Sequence, residues 1–131
     1  MARNYTSEKD VKKTVKELLN RNGWFWWMPP ANGFGKIGVA DFNALKNGVF
    51  LAVETKFGKN TPTVQQKAYL QSIHAAGGLA FVVSEKTLEW FDIWLQTFDR
   101  SVEAARKSTP STDEDGATMI NAVDAMTKDM V

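Results

Sequence analysis

Apolar and polar positions over the first hundred or so residues alternate with helical and strand periods in the order αβββαβα. Ser7 reads as an N-cap, and Val11, Val15, Leu18 and Leu19 recur at helical spacing as far as Asn22-Gly23, predicting a helix over 8–21. Trp24-Phe25-Trp26-Trp27-Met28 is unbroken and stops at Pro29-Pro30, so it reads as a strand buried on both faces or lying in a subunit interface rather than as a platform for bases. Residues 41–56 alternate about Asn47-Gly48, a pair suited to the positive φ angles of a two-residue hairpin turn. Thr63 opens a helix to about Ala76, with Thr63 and Gln66 forming a capping box. After Gly77-Gly78 comes a short buried strand, Leu79 to Val83, which should run parallel to an earlier strand because a helix separates them. Ser84 is expected to cap a last helix from Glu85 to about Ala105, with Leu88, Phe91, Trp94, Leu95 and Phe98 facing inward.

The hairpin turn sets a register. If Lys46 pairs with Val49, then Leu45 faces Phe50, Asn43 faces Ala52, and Asp41 faces Glu54. Opposed side chains on one sheet face have Cβ atoms roughly 4.5–5.5 Å apart. Two ionised carboxylates there repel by about 3 kcal/mol at an effective dielectric of about 20. Lys56, two residues beyond Glu54, falls on the same face and offsets part of this. A divalent cation held by both carboxylates offsets more, and hard oxygen ligands suit Mg²⁺ or Mn²⁺. From the hairpin alone, a solvated cluster of charges on a sheet face is the commoner explanation.

Composition narrows the chemistry. The chain has no cysteine and a single histidine, His74, which excludes a Cys/His zinc site and a cysteine nucleophile. No apolar run reaches the roughly 20 residues that span a bilayer, so a cytoplasmic protein without membrane contact is expected. The net charge of +1 is uninformative, but its distribution is not: residues 1–60 carry ten Lys and Arg against five Asp and Glu, and the remainder is acidic. The opposed acids therefore lie in the basic half, as suits a site that attracts a polyanion and needs a cation at its centre. Residues 1–106 form the expected domain, 107–116 have linker composition, and 117–131 make a tail or amphipathic helix through Met119, Ile120, Val123, Met126 and Met130.

Gly38-Val39-Ala40-Asp41, Glu54-Thr55-Lys56, and Thr63-Val64-Gln65-Gln66 followed by Leu70 and Ala76-Gly77-Gly78 together resemble the PD-(D/E)XK nuclease superfamily. The closer likeness is to its VRR-NUC branch, which is similar to Holliday-junction resolvases, and it covers about residues 7–84. Ala40 stands where many members have proline. The resemblance implies an α/β, restriction-endonuclease-like αβββαβ core, with a mixed central sheet flanked by helices and a C-terminal helical extension. It also implies a site composed of Glu8, Asp41, Glu54, Lys56 and Gln66.

On that resemblance Asp41, Glu54, the Thr55 carbonyl and Glu8 hold Mg²⁺ or Mn²⁺, Lys56 orients the attacking water, and Gln66 positions Lys56 or a phosphate. Lys36 and Lys59, in loops adjoining the ends of the hairpin, are expected to contact phosphates. The function implied is a metal-dependent deoxyribonuclease, structure-selective on branched DNA such as four-way junctions or flaps and acting as a homodimer. The competing readings are a non-catalytic DNA- or protein-binding module on the same fold, and a nuclease acting on ordinary duplex.

Overall fold

A computed structural model describes residues 4–30 and 38–107, with side chains described as far as Phe98. The elements are α1 (Glu8–Arg21), β1 (Phe25–Trp27), β2 (Phe42–Lys46), β3 (Val49–Thr55), α2 (Val64–Ala75), β4 (Leu79–Val83) and α3 (Leu88–Lys107). They form a mixed sheet of order β1-β2-β3-β4, flanked by helices: β2 pairs antiparallel with both β1 and β3, and β4 returns through α2 to lie parallel to β3. The α/β architecture matches the expected one. Among the described residues, no helix is long and apolar enough to cross a membrane. Lys36, and the linker and tail beyond α3, lie outside the described residues.

The β2–β3 register is the one the turn predicts, from Lys46↔Val49 to Phe42↔Val53. Asn47 and Gly48 adopt φ of 52° and 79°, the left-handed conformation that a two-residue hairpin requires. One sheet face carries the main core. Phe42, Leu51, Val53 and Phe81 are fully buried there together with Val11, Val15 and Leu19 of α1 and Phe91 of α3. Trp24 precedes β1 and inserts between α3 side chains, its ring 4.8 Å from that of Phe98 and 6.4 Å from that of Trp94.

Two expectations are corrected. The aromatic run is not buried on both faces: β1 is a three-residue edge strand, and only Trp26 turns inward, against Phe42. Phe25 is 69% exposed and Trp27 41%. A strand sends alternate side chains to opposite faces, and α2 packs over β4 and β3, so among the described residues no helix covers the outer face of β1. The last helix starts at Leu88 rather than Glu85 because the Ser84–Thr87 segment closes on itself. Ser84 N–H donates to Thr87 Oγ1 (2.9 Å), Lys86 N–H to Ser84 Oγ (3.1 Å), and Thr87 N–H to the Ser84 carbonyl (3.0 Å).

Candidate metal and phosphate site

Three elements converge where the hairpin opens: the first turn of α1, the residue before β2, and the end of β3. Gly38 makes this approach possible. Its φ is +85°, and a Cβ there would stand 2.6 Å from the backbone of Gln65, so only glycine lets the chain pass the first turn of α2 on its way to Asp41.

Asp41 departs from the expected geometry. The ladder stops at Phe42↔Val53, leaving Asp41 just outside β2 rather than in a regular pair with Glu54. Its Oδ2 accepts hydrogen bonds from the Thr55 backbone N–H (2.9 Å) and from Thr55 Oγ1 (2.6 Å). The physical reason is that β3 continues past β2 to pair with β4 at Thr55↔Val83, so the Asp41 carboxylate caps an amide that has no further β2 rung to meet. Thr55 thus takes part through its amide and hydroxyl, a role its expected use as a carbonyl ligand did not anticipate.

Glu54 is buried, 1% exposed, with Oε2 3.3 Å from Lys56 Nζ. Lys56 therefore lies on the Glu54 face, as the strand period predicts. Glu54 Oε1 is buried and has no hydrogen-bond partner among the described residues, a deficit that costs about 1–3 kcal/mol or more in a charged group. Burial, followed by the neighbouring Asp41 charge, pushes the Glu54 carboxyl up to about 7, against the opposing pull of Lys56.

Glu8 reaches the cluster from α1, its Oε1 4.0 Å from Lys56 Nζ. Lys12, one turn further on, bridges Glu8 Oε2 (3.2 Å) and Asp41 Oδ1 (3.6 Å). Burial lowers the Lys12 pKa, but Asp41, Glu8 and Glu54 outweigh it and hold the ammonium above its ordinary value. Sequence reasoning passed over Lys12, although its i,i+4 spacing from Glu8 was a usable signal. Among the described residues, no three acidic or histidine side chains group closely enough to cage an ion unaided. Instead, two ammonium groups stand among the three carboxylates.

The donor set nonetheless fits a hard divalent cation. It offers an orphaned buried oxygen on Glu54 and the one oxygen of Asp41 that Thr55 does not occupy, Oδ1, both of the carboxylate type Mg²⁺ and Mn²⁺ take. Gln66 is placed differently: its Oε1 accepts from Thr63 N–H (2.9 Å) and its N–H donates to Thr63 Oγ1 (3.1 Å), completing the capping box rather than reaching Lys56. Lys59 is exposed in the turn that follows Lys56, and that turn is anchored by Glu85, which accepts from Gly58 N–H at 3.1 and 3.2 Å. A half-buried polar link, Tyr69 O–H to Asn43 Oδ1 at 3.0 Å, joins α2 to β2 two residues from Asp41. Its burial raises the Tyr69 pKa.

No family model matches the chain, and no curated protein does. Among solved structures 14 chains match. One is Hjc, a Holliday junction resolvase from the archaeal hyperthermophile Archaeoglobus fulgidus, with 21% identity and a TM-score of 0.44. The match covers 60% of this chain and 63% of that one, so this chain spans less than two thirds of the relative's length.

Proposed function

We propose that the chain is a metal-dependent endonuclease of the PD-(D/E)XK type, VRR-NUC branch, that hydrolyses DNA phosphodiesters and prefers branched DNA. The observation that carries this reading is the convergence of Asp41, Glu54 and Lys56 with one Glu54 oxygen buried and unpartnered. Asp41 Oδ1 and Glu54 Oε1 would hold Mg²⁺ or Mn²⁺, with the Thr55 carbonyl and Glu8 completing the set. The bound cation supplies Lewis acidity at a phosphoryl oxygen and lowers the pKa of water.

The protein's own residues do the rest. Thr55 fixes one Asp41 oxygen through two hydrogen bonds and so aims the other. Lys56, 12% exposed and held against Glu54, presents a fixed ammonium to the negative charge that develops on the phosphate. Lys59, and Lys36 outside the described residues, contribute phosphate contacts. Gln66 serves mainly as the cap of α2.

The uncovered aromatic face of β1, with exposed Phe25 and Trp27 and the adjoining Leu45, supports a homodimer that joins two sites for two strands. Cleavage of a labelled four-way junction, flap and linear duplex by the full chain with Mg²⁺ or Mn²⁺ tests the function. Cutting that is strongest on the branched substrates and about a thousandfold slower in Glu54→Gln is expected. Metal-independent binding without cleavage would leave a binding module on this fold, and equal cutting of plain duplex would remove the structure selectivity.

A further inference from the structure

The two carboxylates offered to a cation are not equally available. Among the described residues Glu54 Oε1 has no hydrogen-bond partner, whereas Asp41 Oδ1, the oxygen Thr55 leaves open, faces the ammonium of Lys12 at 3.6 Å. The same ammonium holds Glu8 at 3.2 Å, so one lysine occupies both outer acids of the cluster. Lys56 differs: it is 12% exposed, follows β3 directly, and pairs most closely with the inner acid at 3.3 Å, reaching Glu8 only at 4.0 Å. Lys12 is 30% exposed and carries its charge on a flexible four-carbon stem, so its ammonium is the one free to leave.

We infer that Lys12 is a resident counter-ion that competes with a divalent cation for Asp41 and Glu8. This rests on the nuclease reading above. A metal ion entering the protein alone must displace Lys12 or share its carboxylates at like-charge repulsion, and both weaken binding. An arriving phosphodiester offers the displaced ammonium a new anionic partner, so metal and DNA favour each other's binding. Lys12 is a positioning residue in this scheme.

Isothermal titration of Mn²⁺ into the full-length free protein tests it, with Lys12→Met, Lys12→Gln and the exposed outer-face control Lys13→Met. Both Lys12 variants should bind Mn²⁺ about tenfold or more tighter than wild type, within the usual range of coupling between sites, while Lys13→Met matches wild type. In EDTA the Lys12 variants should also melt at lower temperature, because Asp41 loses its neighbouring ammonium and Glu8 keeps only the 4.0 Å contact with Lys56, and Mn²⁺ should remove the difference. Unchanged or weaker Mn²⁺ binding in the Lys12 variants, or equal tightening in Lys13→Met, overturns the inference while wild-type uptake leaves the nuclease reading standing. No Mn²⁺ uptake by wild type or variants overturns both.

Discussion

The β2–β3 hairpin ends differently at its two extremities. At the closed end, Asn47 and Gly48 turn the chain with local backbone chemistry alone, and nothing lies within 4 Å of where a Gly48 side chain would begin. At the open end, Asp41, Glu54, Thr55 and Lys56 are held together by hydrogen bonds and ion pairs with each other and with α1. The closed end sets the register that brings the acids together. The open end stores the electrostatic cost: a buried carboxylate, one oxygen of which has no hydrogen-bond partner among the described residues. A scaffold and a candidate site thus share two strands, and substitutions at the two ends should separate stability from activity.

The largest effect is expected at the open end. Glu54→Gln keeps the shape and removes the buried charge, so metal-dependent cleavage should fall by about a thousandfold, roughly 4 kcal/mol of transition-state stabilisation. Folding should survive. An equal loss from a turn substitution that leaves the protein folded would erase the distinction between the ends.

The next effect is a pH dependence confined to the open end. The Glu54 carboxyl titrates near 7 in the folded protein against an ordinary 4.5. Below pH 4.5 it is neutral in both states and contributes nothing. Between 4.5 and about 7 the folded state keeps a proton that the unfolded chain releases, so this group's contribution lowers stability as pH rises, by up to ~3 kcal/mol above pH 7. Urea denaturation of the metal-free protein across this range should show that fall, and Glu54→Gln should lack it. Added Mn²⁺ should flatten the wild-type curve, because a cation favours the ionised carboxylate.

At the closed end, Gly48→Ala puts a side chain at φ +79° in open space, so only backbone strain is felt. A loss of about 1 kcal/mol in denaturant stability is expected, with turnover unchanged. Thr55→Val is the finest probe. It removes the hydroxyl donor to Asp41 but leaves the amide, so stability should fall by about 1 kcal/mol or less and cleavage by about tenfold, as the aim of Asp41 loosens.

The division between the two ends also explains what was legible in the sequence. Asn47-Gly48, the Ser7 and Thr63 caps and the period of two along β3 are local signals, and each predicted what is found. The same period of two sets Lys56 beside Glu54, where the ion pair forms. Other contacts depend on distant residues or on which face a neighbour covers. Asp41 turns onto Thr55 because β3 outlasts β2, and Glu85 holds Gly58 from 27 residues away. Phe25 and Trp27 are exposed because α2 lies over β3 and β4, which no periodicity within β1 can announce. Lys12 sat between them in difficulty: its i,i+4 relation to Glu8 was readable, its reach to Asp41 was not.

The proposed function makes the open end of this hairpin a metal-dependent phosphodiesterase centre. Single-turnover cleavage of a labelled four-way junction, comparing wild type, Glu54→Gln and Gly48→Ala with Mn²⁺ and with EDTA, tests it most directly. Wild type and Gly48→Ala should cut with Mn²⁺ only, and Glu54→Gln about a thousandfold more slowly. Cleavage by Glu54→Gln at the wild-type rate, or cutting that persists in EDTA, would contradict it.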